Sequence, residues 1–536
     1  MKMRNYYILF AALGMMLLFS GCEDFLDKRD PTATSFDEFY NDEEDLRRVV
    51  YSSYLDVYAS GSNRRTLFYM EDGKSDNAYS RTDGDHHQRI ANGNFDSSTE
   101  GFLYHYELAM KHLGRLNVFI ANSHLPYVED EAIRERYKGV LEALRVWHYF
   151  KLTTRWGDVP FLLEPADLET AIQPATPQKE LLDKLFPLAE EIAARLPLEE
   201  YQSNKYMFNR NSLKALTMRY ALIHGRYELA ARLAKEIMDS GKYQLHHSYF
   251  DLFQYGYVGN KEFIMHQDKD CSGTRYSFRD LGPHFRTGAG ESQLVPLKDL
   301  VDSYWTLQGN PIDKCPLHSA EEYELNPRLN RDPRYAASIM GHGDEFYGEI
   351  IDIYDENSPM FHEKTRASRS GYWFRKFVCD QDAFASGGVT QIEYGMLRYA
   401  EVLLTYAEAK IMLNDVDALA KDCINQVRRR AGLDMTEADV TLPKFASYTQ
   451  AQWIDLIRRE RRIEFAGEGL RYDDILRWKI AQDVLNKPAM GHTRIVNGQK
   501  VSLKIEDRSF QPHNYLWPFH ENTMRVEPGL TQNPGY

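Results

Sequence analysis

Helical periodicity built around small residues constrains this chain more than any other feature. Asp42 to Tyr58 places Leu46, Val49, Val50, Tyr54 and Val57 on one stripe, the spacing of an amphipathic helix. Phe102–Asn122 and Asp130–Arg155 predict a long helix pair, the second member carrying Val140, Leu144, Trp147 and Leu152. Gly157-Asp158-Val159-Pro160 stops it, because glycine permits the turn and proline cannot continue a helix. Pro177 to Leu196 predicts another helix. Ser212 to Gly241 splits at Gly225 into a helix–turn–helix whose Ala215, Ala221, Ala230, Ala231 and Ala234 allow close packing, a degenerate tetratricopeptide-like unit. Similar pairs recur at 395–431, with Ala400, Ala407 and Ala409, and at 449–485. A single pair cannot bury its own stripe, so the pairs must stack. The expected fold is mostly α, with tetratricopeptide-like helix pairs forming a right-handed helical body.

Residues 243–394 differ in character. They hold most of the loose Gly, Asp and Tyr, with short β-like pieces at Glu262–His266 and Trp373–Val378. This predicts a loop-rich, irregular second region, and loops on a rigid scaffold are where binding residues concentrate. The tail from 488 onward reads as irregular and is expected to wrap the helical body. The resulting division is a signal peptide at 1–21, a helical region at 22–242, a loop-rich ligand-binding region at 243–394, and a helical region with tail at 395–536.

The first residues have the three parts of a lipoprotein signal. Lys2 and Arg4 supply positive charge, Ile8 to Phe19 an apolar run, and Ser20-Gly21 the small residues before Cys22. The run is shorter than the roughly 20 apolar residues of a membrane span. Cleavage would leave Cys22 as the lipidated residue, followed by the acidic pair Glu23-Asp24. Loss of Lys2 and Arg4 takes the net charge from −14 to −16. Phosphate recognition runs on clustered Lys and Arg, so this balance argues against nucleic acid as a partner. A glycan or a peptide suits it better, and the 35 Tyr and 7 Trp supply rings that can hold sugars as well as fill a core.

Candidate chemistry is sparse. Cys271, Cys315, Cys379 and Cys423 are too dispersed for a zinc site, and sequence cannot pair them in disulfides. Asp268-Lys269-Asp270-Cys271-Ser272-Gly273 opens like a calcium loop, but its twelfth position is Arg279 where a bidentate Glu is required. His86-His87 and His246-His247 are adjacent pairs expected to point apart. Glu460 and Glu464 have the look of a catalytic carboxylate pair. Flanked by arginines, they fit better in a structural salt-bridge network with Arg461, Arg471 and Asp474 across a helix hairpin, both carboxylates ionised. No HExxH, GxSxG or Walker motif occurs, and no cofactor, metal or enzymatic activity is expected.

Several segments resemble the SusD/RagB family of Bacteroidetes outer-membrane lipoproteins. They are Ala143–Phe150 ending in Gly157-Asp158-Val159-Pro160, Ser212–Leu245, Leu397–Leu404 with Ala407-Glu408-Ala409, Arg459–Phe465 with Arg471–Trp478, and the terminal Leu530-Thr531-Gln532-Asn533-Pro534-Gly535-Tyr536. The resemblance implies a surface-exposed, lipid-anchored, non-catalytic protein. It would bind a glycan and deliver it to a TonB-dependent outer-membrane transporter, acting as a lid. An oligopeptide ligand, or a surface glycoside hydrolase, is the alternative. The family's glycan binders place an aromatic platform just after the equivalent of Ser75-Asp76-Asn77, which implies Asn77, Tyr79, Arg81 and Asp83 as ligand contacts. A further aromatic in those binders falls near Tyr276 and Phe278. The Trp that such binders carry next has no counterpart in Gly288–Gln293.

Overall fold

The structure is a computed structural model that describes residues 40–58, 68–81, 86–167, 173–202, 205–255, 259–267, 277–284, 290–385 and 388–536. Cys22 with the signal segment, Asp83, Tyr276, Cys271 and the Asp268–Gly273 loop lie outside the described residues.

The long helices are α1 (Glu43–Tyr58), α2 (Glu100–Ala121), α3 (Glu131–Trp156), α4 (Gln178–Arg195), α5 (Arg210–Ile223), α6 (Tyr227–Asp239), α7 (Tyr399–Met412), α8 (Ala418–Ala431) and α9 (Gln450–Glu464), followed by the shorter α10 (Arg471–Arg477). Their ends are written in the sequence. Asp130 accepts from the Ala132 amide at the start of α3, and Gly157 ends that helix at φ +77°. Asn209 with Ser212 and Thr449 with Gln452 form capping boxes on α5 and α9. Each such cap is worth about 1 kcal/mol. α3 is buried around its whole circumference from Val140 to Phe150, as expected of a central helix. α1, α2, α4 and α5 pack on it, while α6 and α8 flank α7, which also meets α9. Phe150 stacks on Tyr220 at 4.6 Å, joining α3 to α5. The tetratricopeptide-like reading of these helices holds.

A second hydrophobic core lies under the loop-rich region. It gathers Phe263, Phe278, Trp305, Trp373 and Phe377, and reaches the helical body through Ile463 and Ala466. Its strands are short antiparallel ribbons: β1 (Ala78–Ser80) with β3 (Leu294–Pro296), β2 (Phe263–Gln267) with β8 (Tyr394–Arg398), β4 (Ile339–Gly341) with β7 (Tyr372–Phe374), and β5 (Glu345–Phe346) with β6 (Glu349–Ile350).

The tail departs from expectation at first. Residues 489–506 are a hairpin, β9 (Ala489–Val496) and β10 (Gln499–Glu506), turned by Asn497 at φ +52° and Gly498 at φ +75°. Two consecutive positive φ values are what a tight hairpin turn demands. Beyond it the chain wraps the α2–α3 pair as anticipated. Trp517 packs 5.1 Å from Phe102 and 5.2 Å from Trp156, and Phe519 meets Tyr106 at 5.3 Å. The Asn533 side chain donates to the carbonyls of Trp156 (3.0 Å) and Trp517 (2.7 Å). Among the described residues, no helix is long and apolar enough to cross a membrane.

Candidate ligand-binding surface

The predicted salt-bridge residues are buried, but their partners are mostly not one another. Only Arg461 and Asp474 pair across the α9–α10 hairpin, at 3.1 Å. Glu460 meets Arg428 (2.9 Å) and Arg334 (2.7 Å). Glu464 meets Arg334 (2.9 Å), Arg398 (2.8 Å) and Arg430. Burial alone would raise the pKa of Glu464, but Arg430, Arg398 and Arg334 outweigh it and hold the carboxyl well below its ordinary value. A permanently ionised carboxylate suits structure, not general acid catalysis. Arg398 also binds Glu262 (2.8 Å) and Glu468 (2.7 Å), tying β8 to β2 and to the turn after α9.

Arg471 turns to Asp76 instead, and this contact builds the candidate site. Its Nε donates to Asp76 Oδ1 at 2.8 Å and its Nη2 to Oδ2 at 2.9 Å. Arg462 adds a 2.9 Å ion pair to Asp76 and donates at 2.8 Å to Asn77 Oδ1. Arg508 donates to the carbonyls of Ser75 (2.7 Å) and Ala78 (3.0 Å). Burial would raise the Asp76 pKa, yet Arg462 and Arg471 hold it well below the carboxylate range. Three arginines thus clamp the Ser75–Asn77 loop and set the direction of β1. Asn77 is a buried member of this clamp, which corrects its expected role as a ligand contact.

The β1–β3 register pairs Tyr79 with Val295 and Ser80 with Leu294. Ala78 and Ser80 face inward, so strand alternation turns Tyr79 outward, where it is half-buried. Gln88 lies 3.5 Å from its hydroxyl and also donates to Glu506 at 3.0 Å. Arg81 continues the ribbon, its amide donating to the Gln293 carbonyl at 2.8 Å and its guanidinium to the Glu291 carbonyl. Tyr79 and Arg81 are therefore brought together on one surface. Beneath them Ser292 is buried at φ +47°, its Oγ donating to the Arg366 carbonyl (2.9 Å) and accepting from Trp373 Nε1 (2.8 Å). Positive φ in a non-glycine residue is costly and clusters at functional surfaces.

Phe278 is fully buried in the second core, 6.2 Å from Phe346. It is a packing residue, and its expected place in an aromatic platform is corrected. An exposed aromatic pair that the sequence reading missed stands elsewhere on the same region. Tyr347, at φ +54° on the tip of the β5–β6 turn, meets Phe384 edge-on at 5.0 Å. The rings of His246 and His247 lie 4.3 Å apart, tilted by 38° against each other instead of diverging. Cys315, Cys379 and Cys423 are free thiols.

A partly open cavity of about 220 Å³ lies against the helical body, lined by Glu71, Lys74, His105, His112, Lys151 and Trp517 among others. Lys74 pairs with Glu71 at 2.7 Å and sits 4.8 Å over the Trp517 ring. Burial lowers His105 to about 3, His112 to about 4 and Lys151 to about 8, and pushes the neighbouring His148 well below its ordinary value. The histidines are neutral at pH 7. Neither Tyr79 nor Arg81 lines this cavity.

Comparison with known proteins places this architecture. The profile of the SusD family matches residues 261–536. The SusD-like protein P38 of Formosa agariphila is 25% identical, the alignment covering 100% of both chains. A SusD-like protein of Bacteroides ovatus is 23% identical over 86% of this chain and 80% of its own. Among solved structures, a SusD-like carbohydrate binding protein from Bacteroides fragilis superposes with a TM-score of 0.81 at 24% identity, covering 92% of this chain and 100% of that one. Surface glycan-binding protein A from Bacteroides thetaiotaomicron, in complex with laminarihexaose, gives 0.68 at 20% identity, with 92% and 100% covered. With more than half its length matched by the family profile, this chain belongs to the SusD family.

Proposed function

We propose that the protein is a non-catalytic, surface-exposed glycan-binding lipoprotein that holds its ligand against Tyr79 and Arg81 and passes it to a TonB-dependent transporter of the outer membrane. The observation that carries this reading is the clamped β1 ribbon. Asp76 and Asn77 are pinned by Arg462 and Arg471, so an outward ring and a guanidinium are presented by a rigid element. A rigid platform binds without first paying for the ordering of its own side chains. The surface glycan-binding relative solved with laminarihexaose supports a saccharide ligand over a peptide. Lipidation at Cys22 would fix the chain to the membrane. Residues 23–34 would then form a tether of about 30–40 Å if extended, at roughly 3.3 Å per residue.

Titration calorimetry against a glycan panel, with an oligopeptide pool alongside, tests this reading. Tyr79→Ala is expected to weaken saccharide binding about 2- to 30-fold, the loss of one stacking ring at about 0.5–2 kcal/mol. Unchanged affinity would displace the platform from Tyr79, and sugar products accumulating in the cell would make the protein a hydrolase. Mild-detergent extraction through a tag on this chain should recover a large β-barrel partner. Recovery of the lipoprotein alone would refute the delivery role.

A further inference from the structure

Acidic residues outnumber basic ones by 14 in this chain, and most of its buried arginines are tied to carboxylates. The exceptions include Arg145 and Arg331, whose guanidiniums donate to backbone carbonyls, and a group of four that share one region. Among the described residues, Arg81, Arg366, Arg369 and Arg494 have no ion pair. Arg81 uses one Nη on the Glu291 carbonyl, and its other Nη is buried without an acceptor. Arg494 lies 4.2 Å over the Tyr354 ring, and its Nε is likewise buried without an acceptor. Arg366 and Arg369 are exposed.

Backbone contacts bring the segments that carry these four side by side. The Arg366 carbonyl is held by Ser292, which lies between the two residues, Glu291 and Gln293, that anchor Arg81. Four residues on, the Ser370 carbonyl accepts from the His492 amide at 2.7 Å, on the same strand as Arg494. Residues 366–370 therefore bridge the β1–β3 ribbon to β9. The electrostatics agree with the geometry. Burial is the main cause of the lowered pKa of Arg81; the Glu291 charge opposes it, and the charges of Arg369 and Arg366 lower it further. His362 is lowered by burial, with Glu363 opposing the shift and Arg494 and Arg369 adding to it. Acidic groups do stand nearby, but they are engaged or few. The Glu291 carboxylate accepts from Gln293 at 2.7 Å, Asp352 lies 3.6 Å from His342, and Glu363 is exposed.

Among the described residues none of the four guanidinium groups makes an ion pair, which leaves their charge available to a ligand, and a planar guanidinium fork matches carboxylate and sulfate oxygens. We propose that the ligand captured beside Tyr79 is an anionic glycan, its carboxylate or sulfate groups held by Arg81, Arg366, Arg369 and Arg494. This inference rests on the glycan-binding reading above and names the class of glycan.

The test is binding of the whole mature protein to polygalacturonate, to chondroitin sulfate and to neutral laminarin, at 50 and 500 mM NaCl. One of the two anionic glycans is expected to bind at least tenfold tighter than laminarin at 50 mM and to lose most of that advantage at 500 mM. Which of the two prevails distinguishes a carboxylate ligand from a sulfate ligand. Arg366→Gln with Arg369→Gln, both exposed and outside the clamp, should abolish the anionic preference while the melting temperature stays unchanged. Laminarin binding equal to or tighter than both anionic glycans, or an anionic preference that survives the double substitution, overturns the inference and leaves glycan binding standing. Failure of every glycan to bind overturns both.

Discussion

Replacing Arg398 by Met removes the centre of the buried charge network. Arg398 makes contacts of 2.7 and 2.8 Å with Glu468, 2.8 Å with Glu262 and 2.8 Å with Glu464, and its Nη2 donates to the Glu464 carbonyl at 3.0 Å. All three carboxylates are buried. Arg430, Arg334 and Lys376 remain after the substitution, Arg430 already serving Glu262 and Glu464, Arg334 serving Glu464 and Lys376 serving Glu468. Glu262, Glu464 and Glu468 each keep a cation but lose a charge-assisted hydrogen bond, and breaking up a buried ion-pair network costs up to about 3–5 kcal/mol. Arg398→Met is therefore expected to lose about that much, and Arg398→Lys, which keeps the charge but not the fork, roughly 1–3 kcal/mol. Urea unfolding followed by tryptophan fluorescence and far-UV circular dichroism measures both. The sign of the pH dependence follows from Glu464. Its folded-state pKa is depressed, so its contribution is present above the unfolded value of about 4.3 and is lost as pH falls below it. The gap between wild type and Arg398→Met should accordingly narrow below about pH 4.3. A variant within about 1 kcal/mol of wild type at pH 7.5, or a gap that does not change with acid, would refute this account of the network.

Asp72 offers the opposite sign. Burial raises its pKa to about 7, so the stability of the folded state is lost as pH rises from about 4 through 7, and Asp72→Asn should be the more stable form at pH 8 and match wild type near pH 4 in thermal melts. The histidines near the cavity act in acid: with His112 depressed to about 4 and His148 also lowered, stability should fall by about 1–2 kcal/mol per histidine between pH 7 and 5, and His148→Gln should flatten that slope.

The helix pairs were legible because their apolar spacing and their alanines point one way. The predicted spans opening at Asp130 and 449 start where the structure caps helices, while the helix expected from Ser212 is capped three residues earlier by Asn209. The Tyr79–Arg81 surface was legible only through resemblance, because nothing local says that Arg471, nearly 400 positions away, fixes the loop. The charge network failed for the same reason. Helical spacing suggested partners within one hairpin, while Arg334, Arg398 and Arg430 come from three other segments. The β9–β10 hairpin was missed although Asn497-Gly498 carries a strong turn signal. Its strands are exposed or half-exposed along most of β10, so no apolar alternation marked them. Tyr347 had no signal either, since a tyrosine is an unusual residue for a turn position with positive φ.

The wrapping tail has a consequence for how the molecule is made. Trp517, Phe519 and Asn533 complete the packing of Phe102, Tyr106 and Trp156, more than 350 positions earlier in the chain. A polypeptide delivered from its N-terminus cannot finish the α2–α3 layer until almost all of it has emerged. During synthesis the face that Trp517 covers stays open, and loop closure over that separation makes final consolidation slow. The molecule locks last at the layer it builds among the first, so a nascent chain stays pliable for nearly its whole passage.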